Sequence, residues 1–240
     1  SRALRNLETE LGVKLFDRVG KYIYLNKNGQ VLLQHTEVAL QELENARREL
    51  EDRAGAQNQM ARLSMYTGSK LLPDLIRGFQ QEHPHIALQI MQQGSHHDNV
   101  VSSDITVYSS DELPTELNTN LLMKEEILLA IPAGHPLSGR SSIRLSEVAN
   151  EPFICLYKGN DLRQTTDKLC RQAGFTPNVI LESDSPGTVR DLISLGVGLA
   201  FIPKVSWRGI DRDASVKLVE IEEPKCFRYV IMSWNEQRYL

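Results

Sequence analysis

The sequence predicts an α/β fold with an added amino-terminal head, and three observations carry that reading. Strand-like and helix-like segments alternate from residue 60 onward, as in a mostly parallel sheet flanked by helices. Gln30 to Arg53 contains no Gly or Pro and repeats apolar residues at alternating four- and three-residue steps, the period of one long helix with a narrow seam. Ahead of it a short helix leads into a two-stranded ribbon, the order of a partial winged helix-turn-helix.

In the head, Ser1-Arg-Ala-Leu-Arg-Asn-Leu-Glu-Thr-Glu-Leu11 sets Leu4, Leu7 and Leu11 on one helical face, and Gly12 ends the helix. Val13 to Phe16 leads out. From Asp17 the chain alternates around Gly20 and stops at Asn26-Lys-Asn-Gly29, read as the turn of a short hairpin. Such a helix enters the major groove by its amino-terminal end while the ribbon lies along phosphates. Ser1, Arg2 and Arg5 on the helix, with Arg18 and Lys21 on the ribbon, are therefore the candidate contacts to double-stranded DNA. Charge agrees with this. Residues 1–28 carry six basic and three acidic side chains, a net +3, which leaves −7 on the remainder of a chain whose net charge is −4. A basic head on an acidic body confines phosphate contacts to one end.

The long helix places Leu32, Thr36, Ala39, Leu43, Ala46 and Leu50 along its seam. A core helix needs a wider apolar face, so the seam predicts pairing with the same helix of a second subunit. Ala54 to Asn58 then breaks the helix as a linker.

In the body, strands are expected at Ala61–Tyr66, Ile86–Met91, Ser103–Val107, Asn120–Ile131, Phe153–Leu156, Asn178–Leu181 and Leu199–Ile202. Helices are expected at Lys70–His83, Leu162–Ala173 and Pro186–Leu195. Pro132, Gly134, Pro136 and Gly139 cluster at mid-body as a hinge between two lobes, and Lys217 to Ile231 supplies the return crossing. Two α/β lobes joined by two crossings make the periplasmic-binding-protein-like architecture, with a ligand cleft between the lobes. Gly94 to Asp104 leaves room for barely one helical turn.

No catalytic set emerges. Asp111, Glu112 and Glu116 are scattered acids near Pro114; Ser183-Asp-Ser185 has no histidine at motif distance, and a G-x-S-x-G elbow is absent. Gly196-Val-Gly198 lacks the rest of a dinucleotide fingerprint. Adjacent His96 and His97 with Asp98 are read as polar loop residues rather than metal ligands, so neither metal nor cofactor is expected. Cys155, Cys170 and Cys226 share no C-x-x-C spacing and suit small buried residues in a reducing compartment. With no signal-peptide pattern and no apolar stretch near 18 residues, the expected location is the cytoplasm, without a membrane partner. Three loops at strand carboxyl ends suit anions: Tyr66-Thr-Gly-Ser-Lys70, Gln93-Gly-Ser-His96 and Ser183-Asp-Ser-Pro-Gly-Thr188. Helix capping by Ser69 and Ser185 is the plainer account of two of them.

The stretch Ser1 to Arg18, with Leu25 and Gly29, resembles the end of the head domain of LysR-type transcriptional regulators. The likeness continues through Pro132-Ala-Gly-His-Pro-Leu137, Gly174-Phe-Thr-Pro177 and Gly196-Val-Gly-Leu-Ala-Phe-Ile-Pro203, so it covers essentially the whole chain. It implies a partial DNA-binding domain over 1–28, a linker and dimerisation helix over 29–58, a first effector lobe over 60–131 and 223–240, and a second over 132–222. It also implies the family's first helices ahead of Ser1 and one further helix after Leu240. The function it implies is regulation of transcription by a small-molecule effector, organic anions among the candidates, in a homodimer or homotetramer on promoter DNA that acts on RNA polymerase indirectly. Inducer-contacting positions match Thr67, Ser69, Gln93, Ser95, Lys158, Thr188 and Phe201. The alternative is a solute-binding protein or an enzyme of the same two-lobed fold, which needs neither the ribbon nor the seam. A purely structural dimerisation module would leave the cleft loops without a purpose.

Overall fold

The structure, a computed structural model, describes residues 2–20, 22–53, 60–92, 103–207, 209–210 and 213–234. The chain divides into two compact units, one within residues 1–57 and one within 58–236.

In the first unit, α1 (Arg2–Leu11) ends at Gly12, whose φ is +69°. Glu8 reaches back across the exit. Its Oε1 accepts the amides of Leu15 at 2.9 Å and Phe16 at 3.3 Å, and its Oε2 meets Lys14 Nζ at 3.0 Å. The Leu15 amide, followed by the Lys14 ammonium, holds this carboxyl below its ordinary range. Strands β1 (Phe16–Val19) and β2 (Tyr22–Leu25) pair antiparallel with Phe16 opposite Leu25 and Val19 opposite Tyr22. The chain therefore reverses at Gly20, φ +63°, where only glycine is free of strain.

The Asn26–Gly29 turn expected from the sequence is instead the start of the long helix α2 (Lys27–Arg53). Asn26 Oδ1 accepts the Gly29 amide at 3.0 Å while its Nδ2 donates to the Lys14 carbonyl at 3.0 Å, so the side chain caps the helix and ties it to the strand entry. Gly29 is there for space: a Cβ would lie 2.2 Å from the Leu15 carbonyl oxygen and 2.9 Å from Leu25 Cγ. Along α2, Leu32 is half-buried, while Thr36, Ala39, Leu43, Ala46 and Leu50 are exposed. Val31, Val38 and Leu40 are exposed beside them.

The second unit contains β3 (Met60–Met65), α3 (Leu72–Glu82), β4 (Ala87–Met91), β5 (Ile105–Ser110), β6 (Thr119–Pro132), β7 (Ser142–Arg144), β8 (Pro152–Leu156), α4 (Asp161–Gln172), β9 (Asn178–Ser183), α5 (Pro186–Ser194), β10 (Ala200–Pro203), β11 (Val216–Glu223) and β12 (Phe227–Trp234). Parallel pairs join β3 to β4 and β5, β8 to β9, and β11 to β7. The expected mostly parallel sheet does not extend further. Each partner of β6 runs antiparallel to it, as does β12 to β5. The reason lies in the crossings, because strands that carry the chain out to a second lobe and back run in opposite directions.

β6 makes the outward crossing. Its first half, Thr119 to Glu126, pairs β12, and its second half, Ile127 to Pro132, pairs β10 and β11. The chain thus passes between lobes near Glu126 and Ile127. The Pro132–Gly139 cluster, expected as the hinge, lies beyond the crossing as reverse turns such as His135 N to Pro132 O at 2.9 Å. The second-lobe core is large, built on Ile127, Leu129, Phe153, Leu199 and Ile202 among others, whereas the first lobe centres on Met65, Val107 and Val230. The short segment questioned at residues 94–104 lies mostly outside the described residues.

Candidate functional site

A cleft of about 170 Å³ opens between the lobes. The first lobe contributes Met65, Tyr66, Thr67, Gly68, Ser69 and Gln92; the second contributes Leu156, Asn160, Leu162, Pro186 and Trp207; Arg228 comes from the returning strand. Sequence dictates each approach. After β3 the chain turns through Gly68 at φ +71° into a short 3₁₀ turn, Ser69–Leu71, ahead of α3. The cap position is therefore Gly68, and Ser69 does not cap as the sequence suggested; its exposed side chain is on the cleft wall. Asn160 does cap α4, accepting the Leu162 amide at 2.9 Å, and Ser185 caps α5, accepting the Thr188 amide at 3.3 Å. Two helix amino termini of the second lobe thereby face the first, a favourable field for negative charge.

The back of the cleft is ionic, which the sequence reading missed. Glu125 and Arg228 stand opposite one another on β6 and β12, with side chains 0% and 3% exposed. Arg228 Nε donates to Glu125 Oε2 at 3.0 Å and Nη1 donates to Ser109 Oγ at 3.1 Å. Glu125 Oε1 accepts the amides of Val205, at 2.8 Å, and Ser206; Oε2 accepts Ser206 Oγ at 2.7 Å. Burial pushes the Arg228 guanidinium below its ordinary value, and the Glu125 carboxylate opposes that shift. The network joins β5 of the first lobe to the chain after β10 in the second.

Two more contacts span the lobes at α4. Asp161 Oδ2 accepts the Ser109 amide at 3.2 Å, and Lys168 Nζ pairs with Asp111 and lies 3.5 Å from Glu112. Both α4 residues grip one short segment, Ser109 to Glu112.

Of the effector positions implied by resemblance, the structure brings Thr67 and Ser69 together at the cleft. Thr188 is exposed on α5 and is not part of the lining. Lys158 lines a separate concavity with Arg163, Asp167 and Arg171. Phe201 is buried, stacked on Phe153 at 5.5 Å, in the wall of a smaller cavity of about 10 Å³ behind the cleft. Gln93 and Ser95 lie outside the described residues, as do Ser1, Lys21 and the His96–Asp98 cluster. Arg2 and Arg5 are exposed on α1. For Arg18 only the strand backbone is described, and the Asp17 carboxylate lies 3.5 Å from Asn26 Nδ2. Among the described residues, no group of three or more His, Cys, Asp or Glu could hold a metal ion, and no helix is long and apolar enough to cross a membrane.

This two-lobed α/β unit with an inter-lobe cleft is an effector-binding domain. Residues 62–240 match the model of the LysR substrate binding domain. The chain is 32% identical over its full length to YybE, an uncharacterized HTH-type transcriptional regulator of Bacillus subtilis (strain 168), covering 83% of that protein. It is 29% identical over 96% of its length to the transcriptional dual regulator GltC of the same organism, covering 79% of it. The chain belongs to the LysR-type transcriptional regulators. Among solved structures, the QuiR effector-binding domain in complex with shikimate superposes with a TM-score of 0.65 at 22% identity, over 76% of this chain and 90% of that one. The CcmR regulatory domain of Synechocystis in complex with 2-PG gives 0.66 at 22% identity, over the same shares. A full-length OxyR variant of Pseudomonas aeruginosa gives 0.64 at 23% identity, over 98% of this chain and 83% of that one.

Proposed function

We propose that this regulator is switched by a small organic anion held between its lobes, and that it works as a binding switch rather than as an enzyme. Residues 1–28, with Arg2, Arg5, Arg18 and Lys21 as contacts, belong to its interface with promoter DNA. Residues 29–58 form the dimerising linker. Lobe I comprises 60–126 and 227–240, and lobe II comprises 127–226, the crossings lying where β6 changes partners and where β12 begins. The assembled form is a homodimer or homotetramer in the cytoplasm, and the effector acts on RNA polymerase indirectly by changing how the heads meet DNA.

The cleft carries this reading. Its volume is below the roughly 300–1,000 Å³ of sites for drug-sized ligands, which favours a small metabolite. Thr67, Ser69 and Asn160 offer hydrogen bonds, and Leu156, Leu162 and Trp207 offer apolar contact. An effector bound there touches both lobes, so it has the differential affinity for one arrangement that a switch requires.

The test is a thermal-shift screen of the whole chain with small carboxylates and phosphates, wild type against Ser69→Trp. Ligand at about 100 times its Kd adds about 2.7 kcal/mol to stability. The indole should fill the cleft mouth and abolish protection while operator binding stays at the wild-type level. Equal protection of both proteins would place the ligand elsewhere.

A further inference from the structure

Arg228 is the one charged residue among the described residues that line the cleft, and it has a donor to spare. Nε and Nη1 are committed to Glu125 and Ser109. Nη2 lies 3.0 Å from Glu125 Oε2 as well, but it makes no hydrogen bond among the described residues. Glu125 is poorly placed to take up that donor, because its two oxygens already accept Val205 N, Ser206 N, Ser206 Oγ and Arg228 Nε. A buried guanidinium N–H without an acceptor is costly and calls for an explanation. Among the described residues that line the cleft none is acidic; Asp161, whose charge also acts on Arg228, accepts the Ser109 amide instead, so an oxyanion that reaches Nη2 would supply the acceptor it lacks.

We propose that Arg228 is the anion anchor of the cleft, its Nη2 donating to a carboxylate or phosphoryl oxygen of the effector. This rests on the cleft being the effector site and adds the chemistry by which it selects. The placement also makes the anchor a coupler. The guanidinium that takes the anion is held to Ser109 in the first lobe and, through Glu125, to Val205 and Ser206 in the second. The three-way arrangement is complete only when the lobes sit as they do here, so the anion favours that arrangement over others. Charge-assisted, planar hydrogen bonding of this kind is what a guanidinium supplies and an ammonium does not.

The experiment titrates the whole chain with acetate, inorganic phosphate and shikimate, each against chloride at equal ionic strength and with acetamide as the neutral counterpart. The readout is the thermal midpoint. Wild type should show saturable protection by at least one oxyanion and none by acetamide. In Arg228→Lys the apparent Kd for that oxyanion should rise tenfold or more. Because this substitution disturbs a buried pair, a second variant, Arg228→Gln with Glu125→Gln, removes both charges together and should lose the oxyanion response while keeping a cooperative melt. Absence of any oxyanion-specific protection in wild type, or an unchanged Kd in both variants, overturns the anchor. Protection that survives in the Arg228 variants yet vanishes in Ser69→Trp overturns the anchor alone and leaves the cleft reading standing. Protection that survives Ser69→Trp overturns both.

Discussion

Glu125→Ala removes the acceptor around which the two lobes meet, and its cost can be worked from the contacts. The carboxylate is fully buried against an arginine that is 3% exposed, and removing one partner of a buried ion pair costs about 3–5 kcal/mol. The Val205 and Ser206 amides lose their acceptor too, at about 1–3 kcal/mol for each donor left unsatisfied. Ser206 Oγ can rotate toward another acceptor and is left out. Taken at their low ends the losses come to about 5 kcal/mol, comparable with the whole stability of a marginal domain. With an m-value of about 2.5 kcal/mol/M, the urea midpoint of the effector unit should fall by about 2 M. Glu125→Gln separates the contributions. Its carbonyl can still serve the two amides, but its NH₂ confronts Arg228, so it should fall between alanine and wild type. A midpoint shift below about 0.4 M for Glu125→Ala, roughly 1 kcal/mol, would mean that water already solvates the pair and that it does not brace the lobes.

Gly29→Ala should destabilise the head by about 1–3 kcal/mol or more, because the new Cβ would meet a backbone oxygen at 2.2 Å; a fluorescence melt reporting on the ribbon tyrosines checks it, and an unchanged melt would show that α2 can shift away from Leu15 without loss. Leu43→Asp, at a site 68% exposed within the subunit, should leave the fold intact and lower the mass of the assembly, since a carboxylate facing a partner helix is costly to bury; unchanged mass in sedimentation would remove Leu43 from any interface. The thiols of Cys155, Cys170 and Cys226 are pushed up by burial to about 11, 12 and 12 from an ordinary 9.0. The unfolded chain therefore sheds these protons first, so their contribution to stability is whole below pH 9 and lost as pH rises from there through the folded values; the urea midpoint should fall over that window, and the native protein near neutrality should resist thiol labelling until it unfolds.

What was legible in the sequence was whatever a local pattern encodes. The period of α2 was plain because it runs from Gln30 to Arg53 without a Gly or Pro. Its start was misjudged because Asn and Gly signal a turn and a helix entry alike; Asn26 caps by accepting an amide three residues on, and Gly29 is small because Leu15 lies against it. β7 was missed since Ser142–Arg144 is too short to show alternation. In the site, Thr67 and Ser69 were found through a strand, a glycine and a helix in succession. Phe201 sits in an apolar run whose burial can be read but whose facing cannot, and it faces the core. Glu125 and Arg228, the buried ion pair at the back of the cleft, were invisible, being 103 positions apart and joined only by the β6–β12 register. Two adjacent acids in a long strand and one arginine in a later apolar strand were the available clue, and register alone decides that Glu125, not Glu126, is the partner.

The contacts between lobes also bound how hard the switch is to move. From the second lobe, Asp161 holds the first amide of Ser109 to Glu112 and Lys168 its end, while Arg228, from its own lobe, holds Ser109 Oγ and, through Glu125, reaches Val205 and Ser206. These differ in kind. Lys168 and its partners are partly exposed, so that ion pair is worth about 0–1 kcal/mol and weakens with salt. Arg228 and Glu125 are shielded from solvent and barely feel salt. Separating the lobes therefore costs little at the rim and much at the buried Glu125 carboxylate, where the Val205 and Ser206 amides of the second lobe would lose their acceptor, which makes that junction a pivot and the α4 rim the part that opens. A ligand bound with micromolar affinity supplies about 8 kcal/mol in total, of which a coupling of about 1–3 kcal/mol is typical. That share exceeds the rim contacts and falls short of breaking the pivot. The expected motion is therefore a rotation about Glu125 and Arg228 in which the cleft mouth at Ser69 and Pro186 changes width while the ionic back of the cleft keeps its contacts.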